Sequence, residues 1–182
     1  FTFGIEAVLT EAWALTAGHK LKLNTAVAIY SVISIVMAVL TGWVQALSGD
    51  SVLLAIAGEL VNAWVTLPIA MGLFAISLER ASGGEIQNNR LFAFYPWATR
   101  LLLAAVLMTL LIFVGYVLLI VPGIYLSVAY LFALPLLVLE RMGIVEALEA
   151  SRKALTHCCF NVFGLLLVLA LINGLAAMPL GI

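Results

Sequence analysis

The rhythm of its charges constrains this chain more than anything else. Long stretches hold almost no Asp, Glu, Lys or Arg, and short stretches between them gather nearly all of it. A helix that crosses the hydrocarbon of a bilayer needs about 20 mostly apolar residues. Runs at about 23–47, 52–78, 101–120, 124–139 and 161–177 meet or approach that length, and only the second contains an acid, Glu59. The chain is 65% hydrophobic and 9% charged, against about 45–50% and about 25% in soluble domains, so a water-soluble core does not account for it. The expected fold is an all-α polytopic transmembrane bundle forming a single domain over residues 1–182. Five spans are visible. A sixth is expected in the full-length protein, because Met178-Pro179-Leu180-Gly181-Ile182 reads as a turn or another helix beginning. The opening residues lack the basic, apolar, small-residue order of a signal peptide.

The connections have their own chemistry. Ser48-Gly49-Asp50-Ser51 is a turn signal. Residues 81–90 form the one clearly polar loop, and Leu91 to Arg100 is an aromatic cluster closed by a cation, which suits a headgroup region. Val121-Pro122-Gly123 reads as a tight turn joining antiparallel helices, with Pro lacking a donor and Gly accepting positive φ. The fourth span is then only about 16 residues long. Interfacial helices are expected at about 4–17, 91–99 and 144–157. In the last of these Ile144, Leu148 and Leu155 share a face, while Glu149 and Lys153 take the supporting i,i+4 spacing.

All eight cations, Lys20, Lys22, Arg80, Arg90, Arg100, Arg141, Arg152 and Lys153, fall on alternate connections. The positive-inside rule therefore puts the N-terminus, the 79–100 loop and the 140–160 segment in the cytoplasm. Cys158 and Cys159 then face the reducing side; adjacent cysteines rarely reach disulfide geometry.

An internal repeat is also legible. Ile5-Glu6-Ala7 with Ala14-Leu15-Thr16 returns 140 positions later as Val145-Glu146-Ala147 with Ala154-Leu155-Thr156. Each copy leads through a histidine, His19 or His157, into a span. Leu-Glu-Arg closes both the second span (Leu78, Glu79, Arg80) and the fourth (Leu139, Glu140, Arg141), each after a Leu-Pro pair, Leu67-Pro68 or Leu134-Pro135. Such repeats occur in transporters and equally in bundles grown by duplication.

Val-Pro-Gly-Ile-Tyr-Leu at 121–126, Ala-Leu-Pro-Leu-Leu-Val-Leu-Glu at 133–140, and Glu146-Ala147-Leu148 with Ser151 and Thr156 resemble a group of uncharacterised bacterial six-span inner-membrane proteins. The group is related to the membrane-anchor domain of some glycerophosphodiester phosphodiesterases. The opening Glu11-Ala12-Trp13, Leu15-Thr16 and Gly18-His19-Lys20 is similar as well. The resemblance implies six helices with both ends cytoplasmic and location in the inner membrane. It carries no catalytic set, since the phosphodiesterase chemistry belongs to a separate soluble domain. Where such chains often show Gly-His before the fifth span, this one has His157-Cys158.

Among single residues Glu59 stands out, because a carboxylate inside a span is costly and ordinarily faces protein or water. Asn62 and Thr66 follow at i+3 and i+7. On the first span Ser31, Ser34, Ala38, Thr41, Gln45 and Ser48 make a comparable face, so the two helices are expected to meet along polar and small residues, as a packed pair or as the lining of a cavity. Ala170, Asn173, Gly174 and Ala177 make a small-residue patch suited to packing within the bundle or to a dimer. His157, Cys158, Cys159 and His19 have no standard zinc spacing. No Walker loop, dinucleotide fingerprint, His-Glu-x-x-His or nucleophile elbow occurs, so neither an enzyme nor a cofactor is expected. The net charge of −1 speaks against a nucleic-acid surface. The expected partners are membrane lipids, with a second copy or another membrane protein as further candidates. The expected function is a scaffold, assembly or lipid-interacting element, and the alternative is a small transporter or channel built on Glu59, Asn62, Thr66, Ser34, Thr41 and Gln45.

Overall fold

The structure, a computed structural model, describes residue 10 and residues 20–49, 51–83, 88–156 and 159–177. The expected interfacial helix at about 4–17 lies outside the described residues, apart from residue 10. The described residues are helical with no strand: α1 Lys20–Ser48, α2 Val52–Ala81, α3 Ala98–Leu118, α4 Ile120–Ala129, α5 Ala133–Leu139, α6 Ile144–Thr156 and α7 Cys159–Ala177. Four stretches are long and apolar enough to cross a membrane, namely α1, α2, α3 and the α4–α5 pair; the bent pair α6 and α7 raises the number to five. Their outward faces carry exposed Val, Ile, Leu and Trp side chains throughout, with Leu47 at 83% and Leu53 at 81%. An apolar surface of that extent is stable only against an apolar partner or solvent.

α1 and α2 form an antiparallel hairpin whose reversal uses Gly49 at φ 63°, a left-handed conformation that costs glycine little. Thr41 meets Gly58 across the seam. Farther along, Ala26, Ile69, Ile76 and Leu91 are fully buried together. Leu91 belongs to the segment expected as an interfacial helix at 91–99. That segment instead makes two short 3-10 turns, Asn88–Phe92 and Tyr95–Trp97, before α3 begins. Pro96 explains the break, since it cannot donate and disfavours helical geometry in the residue before it. The segment is held against α2: a Cβ on Gly72 would overlap the Leu91 backbone, and Arg90 pairs with Glu79. Arg100 then lies 4.9 Å from the Trp97 ring centroid, a cation–π contact at the start of α3.

The third and fourth spans correct the expected turn at Val121-Pro122-Gly123. These three residues are helical, within the first turn of α4, and the chain reverses at Leu119, whose backbone is extended (φ −164°, ψ 147°). The first amides of a helix have no acceptor within it, so Pro122 sacrifices no bond there. Nor is Gly123 needed for a positive φ. It is buried, and an added Cβ would come within 2.5 Å of Tyr116 Cγ. A Cβ on Gly115 would likewise fall 3.1 Å from Gly123 Cα. In surroundings as apolar as the helices, such close backbone approach replaces hydrophobic drive as the source of cohesion.

The fourth span therefore runs 20 residues, Ile120–Leu139, and is broken at 130–132 into ten-residue α4 and seven-residue α5. Pro135 sits in the first turn of α5, the place Pro122 takes in α4. Antiparallel pairing puts the reversals at Gly49 and Leu119 at one end of the bundle and Arg80, Arg90, Arg100 and Arg141 at the other.

Candidate functional site

Two places hold polar groups where the helices would otherwise be apolar. The first surrounds Glu59. Its side chain is exposed and opens into a groove of about 820 Å³ between α2 and α3, lined by Ala55, Ala63, Leu102, Ala105, Thr109 and Phe113 among others. Glu59 is seven residues into α2, about 10 Å from its start at 1.5 Å per residue, and the groove is centred on the middle of α3. Thr109 adds no free donor toward the carboxylate from its own helix: its hydroxyl bonds the Ala105 carbonyl at 2.8 Å.

The polar face of the first span does not meet Glu59. Between α1 and α2 lies a separate groove of about 300 Å³, lined by Met37, Leu40, Thr41, Val44, Leu54, Ala57, Gly58 and Val61. Neighbouring helix positions diverge by about 100°, so a seam built on Gly58 turns Glu59 away from α1. Of the expected lining, Thr41 bonds the Met37 and Ala38 carbonyls at 3.0 Å each and Thr66 bonds the Asn62 carbonyl at 2.8 Å. These are hydroxyls returned to their own helices. Ser34 Oγ is buried without a hydrogen-bond partner, Asn62 is half-buried and Gln45 is exposed. The structure thus places Glu59 in one groove and Thr41 in another. His19, His157, Cys158 and the side chain of Cys159 lie outside what is described. Among the described residues no group of three or more His, Cys, Asp and Glu could hold a metal.

The second place is the break in the fourth span, and it is built by a residue from another helix. α6 buries Ala147, Leu148, Ser151 and Leu155 and exposes Glu146, Glu149, Arg152 and Lys153. Its buried face packs on α4 and α5, and Ser151, wholly buried, enters the break. Ser151 Oγ donates to the Ala129 carbonyl at 2.7 Å and accepts from the Phe132 amide at 3.2 Å. The neighbouring amides are satisfied locally: Tyr130 bonds Leu126 O at 3.0 Å, Leu131 bonds Val128 O at 3.1 Å and Ala133 bonds Tyr130 O at 3.0 Å. One hydroxyl thus completes the set for four consecutive amides, which an apolar medium requires. Nearer the Ile120 end of the span, the Tyr125 and Thr156 hydroxyls meet at 2.9 Å.

α6 is therefore fastened along the fourth span and does not merely extend from its end. Arg152 and Lys153, grouped by sequence with the 140–160 connection, lie beside the middle of that span. On the exposed face Lys153 pairs with Glu149 at 2.8 Å. Glu146 accepts from the Gly143 amide at 3.3 Å, tying down the start of α6. Arg152 makes no ion pair among the described residues.

Sequence reasoning singled out Ser151 only within a resemblance. A polar residue on the otherwise apolar Ala147–Leu148–Leu155 face is a signal that would have found it. Tyr95, whose hydroxyl reaches Val65 O at 3.3 Å, was likewise read only as part of an aromatic cluster. No family model, curated protein or solved structure matches the chain.

Proposed function

We propose that this chain is an integral membrane protein of the bacterial inner membrane, with its N-terminus cytoplasmic, that acts without enzymatic chemistry as a scaffold, assembly or lipid-interacting element. The observation that carries the reading is α6, an amphipathic helix whose charged face is held outward beside a broken span by Ser151. Such a face offers ion-pair and hydrogen-bond contacts to headgroups or to a partner's polar segment. The alternation of cations along the chain supports the orientation, and the quoted motifs support kinship with the six-span family. The test is co-purification of phospholipid with the wild-type chain, measured by mass spectrometry of the intact complex. Replacing Arg152 and Lys153 by Gln should reduce the retained lipid several-fold; unchanged retention would remove the reading.

A small transporter or channel is the second reading, and the specific observation in its favour is the groove at Glu59. An acid at that depth ordinarily marks an ion pathway or a polar partner. Against it, the rest of the groove is nearly all apolar, and the polar face of the first span lies elsewhere. Ion or solute flux through protein-containing liposomes, abolished by Glu59→Gln in a folded protein, would replace the scaffold reading.

A further inference from the structure

The depth of α6 conflicts with its charge, and the conflict has a physical resolution. α3 is 21 residues long, about 31 Å at 1.5 Å per residue, which matches the roughly 30 Å of a bilayer core. α4 and α5 run alongside it, antiparallel: Gly123 is against Gly115, Tyr130 and Ala133 are against Leu107 and Met108, and Leu137 is against Leu101 and Ala104. The break at 130–132 thus stands level with the middle of α3. Because Ser151 is bonded on both sides of that break, Arg152 and Lys153 stand at nearly the same level, and Glu149 lies within one turn. All three are exposed. Facing acyl chains they would carry a cost of several kcal/mol each at mid-depth, more than an exposed ion pair returns.

We infer that the charged face of α6 lines a hydrated notch that opens on the cytoplasmic side and reaches the middle of the bilayer beside the fourth span, and that the notch admits a phospholipid headgroup whose phosphate is bound by Arg152. Three features select this occupant. The face carries both signs, as a zwitterionic headgroup does. Lys153 and Glu149 neutralise each other, leaving the Arg152 guanidinium with donors in a geometry that suits phosphate. The notch also flanks exposed apolar surface, including Leu131 and Phe132, on which the acyl chains of the same molecule can lie. The inference rests on the lipid-interacting reading and adds to it a depth, a residue and a ligand group.

The test uses the full chain in phosphatidylcholine vesicles, with Cys158 and Cys159 replaced by serine and a single fluorophore at Ala154→Cys on the exposed side of α6. Val114→Cys, exposed on α3 at a comparable depth, is the reference. Quenchers on the lipid headgroup and in water should act strongly at position 154 and weakly at position 114; a quencher deep in the acyl chain should do the reverse. Arg152→Gln should lower headgroup quenching at position 154 several-fold and leave water quenching unchanged. In a second sample, Tyr125→Cys and Thr156→Cys are joined by a short thiol-reactive linker to hold α6 against the span, and the quenching pattern should persist. Acyl-chain quenching at position 154 in the linked protein overturns the notch. If the linker cannot join the pair while headgroup quenching at 154 remains, α6 lies on the membrane surface, so the notch falls and the lipid-contact reading stands. If no lipid quencher reaches position 154, both fall.

Discussion

The second and fourth spans carry the same sequence pattern, a Leu-Pro pair followed farther on by Leu-Glu-Arg, yet one is a continuous helix and the other is broken. Pro68 lies inside the thirty residues of α2 without interrupting them. Pro135 lies in the first turn of a new helix, just after a three-residue gap. Pro68 removes an amide from a helix interior and presses on the carbonyl four residues back, whereas Pro135, in a first turn, removes an amide that would have had no acceptor within its own helix. The neighbours differ as well. Beside Pro68 the Tyr95 hydroxyl donates to Val65 O, so a carbonyl receives help and no amide needs it. Beside Pro135 the Ser151 hydroxyl both donates and accepts, to Ala129 O and from Phe132 N. A break that frees an amide as well as a carbonyl is stable in an apolar setting only when such a two-way partner is at hand. The comparison teaches that proline permits a break and the adjoining side chain decides whether one persists.

The largest effect that bears on this contrast is expected from Ser151→Ala. It strands a buried carbonyl and a part-buried amide together, at about 1–3 kcal/mol for the first and about 1 kcal/mol for the second, so a loss of about 2–4 kcal/mol is expected in reversible unfolding in mixed micelles. A change under about 0.5 kcal/mol would show that the break needs no clamp. Gly72→Ala addresses the other span. Its methyl would strike the Leu91 backbone, which cannot swing aside as a side chain can, and about 1–3 kcal/mol is expected. Faster proteolysis near residues 88–92 should accompany it; a neutral result would mean that the segment is not seated on α2.

Tyr95→Phe removes a single long hydrogen bond and no buried amide, so a loss of at most about 1 kcal/mol is expected, with α2 still continuous by amide exchange. Protection lost around residues 65–69 would make Tyr95 as essential to its span as Ser151 is to its own. The smallest effect concerns the exposed face of α6. Lys153 and Glu149 pair at 2.8 Å with both side chains more than half exposed. Lys153→Met should change the melting temperature at neutral pH only slightly, since exposed pairs are weak. A loss well above about 1 kcal/mol would show that this face is shielded from water.

Much of the architecture was legible because it follows from one-dimensional quantities. Span locations depend on the length and apolarity of each run, and the turn at Gly49 on a local residue type. The 121–123 reversal was misplaced because Pro-Gly chemistry suits both a turn and a first helical turn. Which of the two forms depends on Gly123 packing under Tyr116 and beside Gly115, a contact between residues on different helices. Glu59 was visible as a lone acid, yet its groove was not, because the face it turns toward follows from Gly58 being taken up by Thr41.

What the sequence by itself determined, then, is a chain of apolar helices with its charges on alternate connections, since bilayer thickness and the cost of burying charge act on composition run by run. Only the tertiary structure decided that the fourth span is broken at its middle, that Ser151 completes the break, and that the charged face of α6 stands alongside that span. Those features depend on which side chain meets which orphaned backbone group, and residues nineteen or more apart in the chain meet only through packing.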